Sequence, residues 1–338
     1  MIKKLLLLLA AVLLAYVGLA YYFSSLMIHP PRRDNAEVRG LMQVRAGVDI
    51  DTFRQKMPAG ETFVTQSPAD QTELIGTYFE QDSSQCAVII SHGYGSTRIS
   101  MMKYAPIWYG CGCDVVVYDH RAHGESEGEH GTGGTLEALD LHGITNWTVE
   151  RTGLSRQQIG WMGESWGGST VLQAGASGEN VAFIIAESSF QDWESAVFER
   201  AQRQYGGWIA WMKSPVFAIA GWRTGIDAWE ASPLLKAPAI EEPTLVLHSQ
   251  ADAETASEQS VNIAAALPAN SSRLHHLDWG ARHGNNVFTK PEEYRNLLLD
   301  FVADYVPEWP GCPPAVENWS GNESESESES ESESDNML

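Results

Sequence analysis

"GESWGG", residues 163–168, sets a serine between glycines two positions away on either side. A G-x-S-x-G pattern is short enough to arise by chance, so its surroundings decide its meaning. Upstream, "QIGWM" (158–162) reads as the end of a strand, and downstream "STVLQAGA" (169–176) reads as a helix. A strand that turns into a helix within so few residues strains the serine backbone and leaves its hydroxyl exposed. Side chains at 163 and 167 would collide with their neighbours, which explains the glycines there. The N-terminus of the following helix favours developing negative charge. Ser165 is therefore expected to be a nucleophile rather than an ordinary serine in a bend.

Strand-like and helix-like segments alternate around this point. "ELIGTYFE" (73–80), "CAVIISHGYGS" (86–96), "DVVVY" (114–118), "VAFIIAESSF" (181–190), "PTLVLHSQAD" (243–252) and "SRLHHLDW" (272–279) read as strands with their following turns. Helical spacing is found near Ile99 to Trp108, from Thr135 to Glu150, and in "PEEYRNLLLDFVADYV" (291–306), where Pro291 suits a first turn. Near-continuous apolar strands between helices indicate an α/β fold with a mostly parallel sheet covered on both faces. In such sheets ligands bind beyond the carboxyl ends of the strands, so reactive residues should follow strands directly.

A serine hydroxyl needs a base, and the base needs an orienting acid. On a strand-to-helix nucleophile turn the partners follow in the order Ser, acid, His. His283 lies in "DWGARHGNN" (278–286), between the last strand and the last helix, whereas His275 and His276 lie inside that strand. Asp252 ends the preceding strand segment, with Glu254 two residues on as the alternative acid and Asp278 read as structural. An oxyanion hole requires two backbone N–H donors. Trp166, directly after the nucleophile, would supply one and Tyr94, in the loop "SHGYGS" (91–96), the other. His92 is read as a packed loop histidine.

Taken in order, "HGYGS", "DHRAHGES", "GESWGG", "HSQAD" and "GARHG" resemble the α/β-hydrolase superfamily, most nearly its membrane-anchored serine hydrolases of the esterase, acyl-lipid hydrolase and aminopeptidase-like branches. The resemblance runs from about Glu73 to Pro307. It implies the α/β-hydrolase fold, with Asp119, His120, Arg121 and His123 bracing the site rather than reacting. It also implies a helical cap over the site at about 190–235, a segment that carries Trp193, Trp208, Trp211, Trp222 and Trp229. Those tryptophans would line an acyl pocket, touch a bilayer, or simply pack the cap on the core. A serine nucleophile excludes the aspartate-dependent dehalogenase and epoxide hydrolase branches.

Charge and composition bound the rest. The chain of 338 residues carries a net charge of −22, and seven negative charges fall between Glu323 and Asp335, where acidic residues alternate with serine. That tail, 311–338, is expected to be disordered. The remaining negative excess argues against nucleic acid as a partner, because phosphate would be repelled. After "MIKK", Leu5 to Ile28 carries no charge. As a helix this run spans about 36 Å, enough to cross a bilayer core. Residues 1–30 are therefore expected to be an uncleaved anchor, with the N-terminus inside and the catalytic domain outside the cytoplasm. A polar linker is expected over 31–60 and the hydrolase domain over 61–310.

Four cysteines are too few for a disulfide scaffold. One bridge from Cys86 to Cys111 or Cys113 is open outside the cytoplasm, and buried free thiols are the expectation. No metal site and no cofactor are expected. The sequence thus points to a serine hydrolase that cleaves an ester, thioester or amide of a small or lipid-like acyl substrate. The alternatives are a serine peptidase and a non-catalytic, membrane-tethered binding protein on the same fold.

Overall fold

The computed structural model describes residues 1–312. The reading of the acidic tail concerns residues that, from 313 on, lie outside the described ones. Eight strands form one sheet: β1 (Glu61–Gln66), β2 (Glu73–Phe79), β3 (Ala87–Ser91), β4 (Asp114–Tyr118), β5 (Ile159–Glu164), β6 (Phe183–Glu187), β7 (Thr244–Ser249) and β8 (Ser272–Leu277). Their spatial order is β1-β2-β4-β3-β5-β6-β7-β8. Only β1 and β2 run antiparallel to their neighbours; every pairing from β4 to β8 is parallel. Strands β3, β4, β6 and β7 are buried at every position, as near-continuous apolar runs inside a parallel sheet should be. Strand β1 was not among the sequence-derived strands. Its segment, "ETFVTQ", is an edge strand exposed at four of six positions, so it carries little apolar signal.

Three helices precede the sheet: α1 (Ile2–Ile28), α2 (Asn35–Ala46) and α3 (Ile50–Arg54). The polar linker expected over 31–60 is therefore a correction: most of it is helical. Asp34 accepts from the Glu37 N–H while the Glu37 side chain accepts from the Asp34 N–H, a reciprocal cap that starts α2. Short α4 (Ala105–Tyr109) and long α5 (Thr135–Thr152) follow, then α6 (Trp166–Gly175) directly behind β5. The helix expected near Ile99 to Trp108 is split into a 3-10 turn, Arg98–Lys103, and α4.

Between β6 and β7 the chain leaves the sheet as α7 (Trp193–Tyr205), a 3-10 turn (Gly207–Met212), α8 (Lys213–Thr224) and α9 (Pro233–Lys236). These elements form a helical insertion between β6 and β7. α10 (Glu258–Ala266), α11 (Asn286–Thr289) and α12 (Pro291–Tyr305) complete the layers. One core lies on the sheet face covered by α4 and α12, around Trp108, Phe183 and Phe301. A second lies on the opposite face beneath α5, α6 and α10, around Trp161, Leu141 and Ile263.

A third cluster belongs to the cap. It joins Trp193, Phe198 and Phe217 to Ala20, Met27 and Ile28 of α1. The first nineteen residues of the chain are exposed, whereas Ala20, Ser24, Met27 and Ile28 are buried. Arg223 of α8 donates to the Ser24 and Ser25 hydroxyls at 3.1 and 2.6 Å, and Tyr16 donates to the Trp211 carbonyl at 2.8 Å. The end of α1 is thus part of the cap and not a detached stalk. The cap tryptophans divide: Trp193 is buried, while Trp211 and Trp222 are 83% and 80% exposed.

All four cysteines are bridged, Cys86 to Cys113 and Cys111 to Cys312. This corrects the expectation of free thiols. The parallel register of β3 on β4 sets Ala87 beside Asp114, which brings Cys86 and Cys113 to a Cα separation of 4.7 Å, within bridging range. Cys111 meets Cys312 after the chain leaves α12, a pairing across 201 residues.

Candidate active site

Ser165 sits between β5 and α6 with φ 56° and ψ −111°. A non-glycine residue at that φ is strained, and the strain aims the side chain away from both elements. The glycines have a specific cause. A Cβ at Gly163 would lie 2.1 Å from the Gly167 carbonyl oxygen, and one at Gly167 would lie 2.1 Å from the Ser91 carbonyl oxygen. The turn packs backbone on backbone against β3. The Ser165 N–H donates to the Glu187 carbonyl at 2.8 Å, which pins the turn to β6 as well.

Ser165, Tyr94, Trp166 and His283 line one cavity of about 1010 Å³. Tyr94 follows β3 and Trp166 opens α6, so both approach Ser165 from carboxyl ends of adjacent strands. The Trp166 N–H belongs to a first helical turn, which has no intrahelical acceptor. Among the described residues no hydrogen bond from the Tyr94 N–H is found. Gly93 faces the nucleophile so closely that a Cβ there would stand 3.4 Å from that of Ser165.

His283 Nδ1 lies 2.6 Å from Asp252 Oδ2. Asp252 Oδ1 accepts from the Glu254 and Thr255 N–H groups at 2.8 and 3.0 Å. The carboxylate of Asp252 therefore faces His283, while Glu254 contributes a backbone donor and exposes its side chain. Burial alone would raise the Asp252 carboxyl, but hydrogen bonds from His248 and His283 outweigh it and hold the group far below the usual carboxylate range. Burial would lower the His283 imidazole, and the Asp252 hydrogen bond and charge reverse this and raise it.

Two supporting residues were not singled out from the sequence. His248, at the end of β7, places Nε2 3.0 Å from Asp252 Oδ2 and 3.2 Å from the Thr255 carbonyl, with Nδ1 2.6 Å from Ser260 Oγ. The sequence carries no signal for this contact, because a histidine inside an apolar strand reads as a core residue. Glu164, between Gly163 and the nucleophile, pairs with Lys103 and accepts from the Tyr104 hydroxyl at 2.6 Å. Lys103 also donates to the Gly284 carbonyl at 2.8 Å, so the pair ties the nucleophile turn to the residue after His283.

The "DHRAHGES" loop is a brace. Asp119 accepts from the Arg98 and Glu125 N–H groups and pairs with the Arg98 guanidinium. Arg121 grips Asp140 through two bonds of 2.6 Å and reaches Asp70 at 2.9 Å. His92 uses both ring nitrogens on backbone groups, at Gly93 and His120. Burial depresses His92 to about 4 and His123 to about 3, so both are neutral at ordinary pH. His275 and His276 lie in β8, half-buried and exposed respectively, away from this edge. Among the described residues no group of three or more His, Cys, Asp or Glu is disposed to hold a metal ion.

Comparison with known proteins agrees with this architecture. A sequence family described as serine aminopeptidase, S33, matches residues 82–224. The uncharacterized protein YqkD of Bacillus subtilis is 27% identical over 256 residues, which cover 74% of this chain and 81% of that protein. Among solved structures, Pyrococcus furiosus esterase Pf2001 superposes with a TM-score of 0.64 at 20% identity, over 84% of this chain and all of that one. The α/β hydrolase GrgF of Penicillium sp. sh18 gives 0.59 at 22% identity, over 74% and 100% of the two chains. Pyrococcus horikoshii acylaminoacyl peptidase gives 0.58 at 18% identity, over 76% of this chain and 44% of that one. At these identities the likeness shows the fold, and together the comparisons support a hydrolase. With its nucleophile-type turn at β5 and its cap between β6 and β7, the chain has the α/β-hydrolase fold, and the comparisons support this.

Proposed function

We propose that the protein is a membrane-anchored serine hydrolase that cleaves an acyl bond through Ser165, His283 and Asp252. The observation that carries this reading is the strained Ser165, which opens into the same cavity as His283, itself held by Asp252 at 2.6 Å. In the first step His283 takes the Ser165 proton as the hydroxyl oxygen attacks the substrate carbonyl. The Tyr94 and Trp166 N–H groups receive the oxyanion. Collapse of the tetrahedral species expels the alcohol, thiol or amine, which leaves with the proton from His283, and an acyl-enzyme remains. Water, activated by the same imidazole, then releases the acid and restores Ser165.

The anchor rests on α1, 27 residues whose most apolar 18-residue stretch has a mean hydropathy of 2.3 and is 6% buried. A catalytic domain outside the cytoplasm is supported by the bridging of all four cysteines, since disulfides persist in oxidising compartments. The family description favours one rival, a peptidase of the aminopeptidase type. Labelling of the folded protein with a fluorophosphonate, abolished in Ser165→Ala, tests the hydrolase against a silent binding protein. Turnover of matched acyl esters, thioesters and aminoacyl amides then separates esterase from peptidase.

A further inference from the structure

The cavity at Ser165 is lined by both apolar and basic side chains. The apolar ones come from the end of α1 (Phe23, Leu26, Met27) and from Ile209 and Val216 of the cap. The same lining carries five arginines: Arg33, Arg45 at the end of α2, Arg200 and Arg203 on α7, and Arg282 beside His283. Among the described residues none of the five forms an ion pair. Arg33 donates to the Gly95 carbonyl, Arg203 to the Glu254 carbonyl at 2.6 Å and Arg282 to the Arg45 carbonyl at 3.4 Å. Arg200 rests on the Tyr94 ring at 5.5 Å.

The acidic side chains on this lining are Glu164, already neutralised by Lys103, and Glu254 at the rim. Five guanidinium groups against one free carboxylate make the mouth strongly positive in a chain of net charge −22. Such a concentration of one sign, in a concave site of opposite sign to the whole molecule, raises the local concentration of anions. Guanidinium groups also match carboxylate and phosphate oxygens in geometry.

We infer that the substrate is an anionic acyl amphiphile, with its hydrocarbon between the end of α1 and the cap and its negative group on the arginine rim. This deepens the serine hydrolase reading and rests on it. The anchor then does more than tether. Its last turns, which carry Phe23, Leu26 and Met27, form the wall along which the acyl chain lies. An anionic lipid headgroup and a soluble anionic ester share this chemistry, and the presentation of the substrate distinguishes them.

The test uses the full-length protein in nonionic detergent and two esters with the same acyl chain, a monoacylglycerol and its phosphorylated counterpart. The ratio of kcat/KM for the anionic over the neutral ester is expected to be about tenfold or more at low salt, and to shrink as salt screens the rim. The double variant R200Q/R203Q, whose sites are exposed and so tolerate the change, should lower that ratio about fivefold. Phe23→Ala should lower kcat/KM for long-chain relative to acetyl esters about threefold. A preference for the neutral ester, or a ratio unmoved by R200Q/R203Q, overturns the inference. If neither ester is cleaved while Ser165 still takes up the fluorophosphonate, the substrate class is wrong and the hydrolase reading stands. Absence of labelling would remove both. Cleavage of the phosphorylated ester in anionic vesicles, against dispersed monomer, identifies the source as lipid or soluble.

Discussion

His248 Nε2 lies 3.0 Å from the same Asp252 oxygen that holds His283. Because Nε2 also faces the Thr255 carbonyl, two acceptors surround it and it must carry the proton. Ser260 Oγ lies 2.6 Å from Nδ1 of the same ring. His248 thus fixes the carboxylate from below, as Asp252 fixes His283 from the side.

That arrangement makes His248 a positioning residue. In His248→Phe the Asp252 carboxylate loses a buried donor and a rotational stop, so kcat should fall about tenfold with KM little changed. His248→Gln keeps a donor and should recover part of the loss. Wild-type kcat in His248→Phe, measured on a soluble ester, would show that the backbone donors of Glu254 and Thr255 suffice.

The pH dependence follows from His283. The base must be neutral in the resting enzyme, and Asp252 raises its pKa above the ordinary 6.5. kcat/KM should therefore fall as pH drops through a value above 6.5 and level off on the alkaline side. Asp252→Asn removes the raising charge and the tautomer control. Turnover should drop by about three to four orders of magnitude, and the acid limb should move to lower pH. Full activity in Asp252→Asn would pass the role to Glu254.

Lys103 and Glu164 form a buried pair, with side chains 4% and 13% exposed. Lys103→Met leaves the Glu164 charge unpaired and releases the Gly284 carbonyl, at a cost of about 3 kcal/mol in unfolding free energy. Adding Glu164→Gln removes the orphaned charge and should restore more than half of it. Denaturant titration of the two variants checks this; equal losses in the single and double variants would mean that the Gly284 tether dominates.

Some of this was legible in the chain. Ser165 and His283 could be read because each follows a strand on the ligand-binding edge, where position and chemistry give the same answer. The sequence puts Asp252 first and Glu254 second as the acid, and the Asp252 carboxylate turns to His283 at 2.6 Å. His248 was hidden as an ordinary buried strand residue, since nothing in β7 says that its ring reaches back to Asp252. Residues 31–60 looked like a linker because α2 is polar overall, although the Asp34–Glu37 cap was in plain view. The partner of Cys111 was beyond reach, because Cys312 approaches only once α12 has been laid on the sheet.

Glu187 gives a prediction about stability. Its carboxyl is fully buried beneath the nucleophile turn, where it accepts from Asn286 at 2.7 Å and Tyr294 at 3.0 Å. Burial raises it from 4.5 to about 7, against the lowering effect of those bonds. The folded state therefore binds this proton more tightly than the unfolded state. Its stabilising contribution is complete below 4.5 and is lost as pH rises through about 7. Glu187→Gln has no proton to lose and retains one oxygen for a donor. The difference in unfolding free energy between variant and wild type should grow in favour of the variant by about 2 to 3 kcal/mol between pH 5 and pH 8. Thermal or urea unfolding at the two pH values measures it. A difference independent of pH would mean that Lys103, through Glu164, already holds Glu187 ionised in the folded protein.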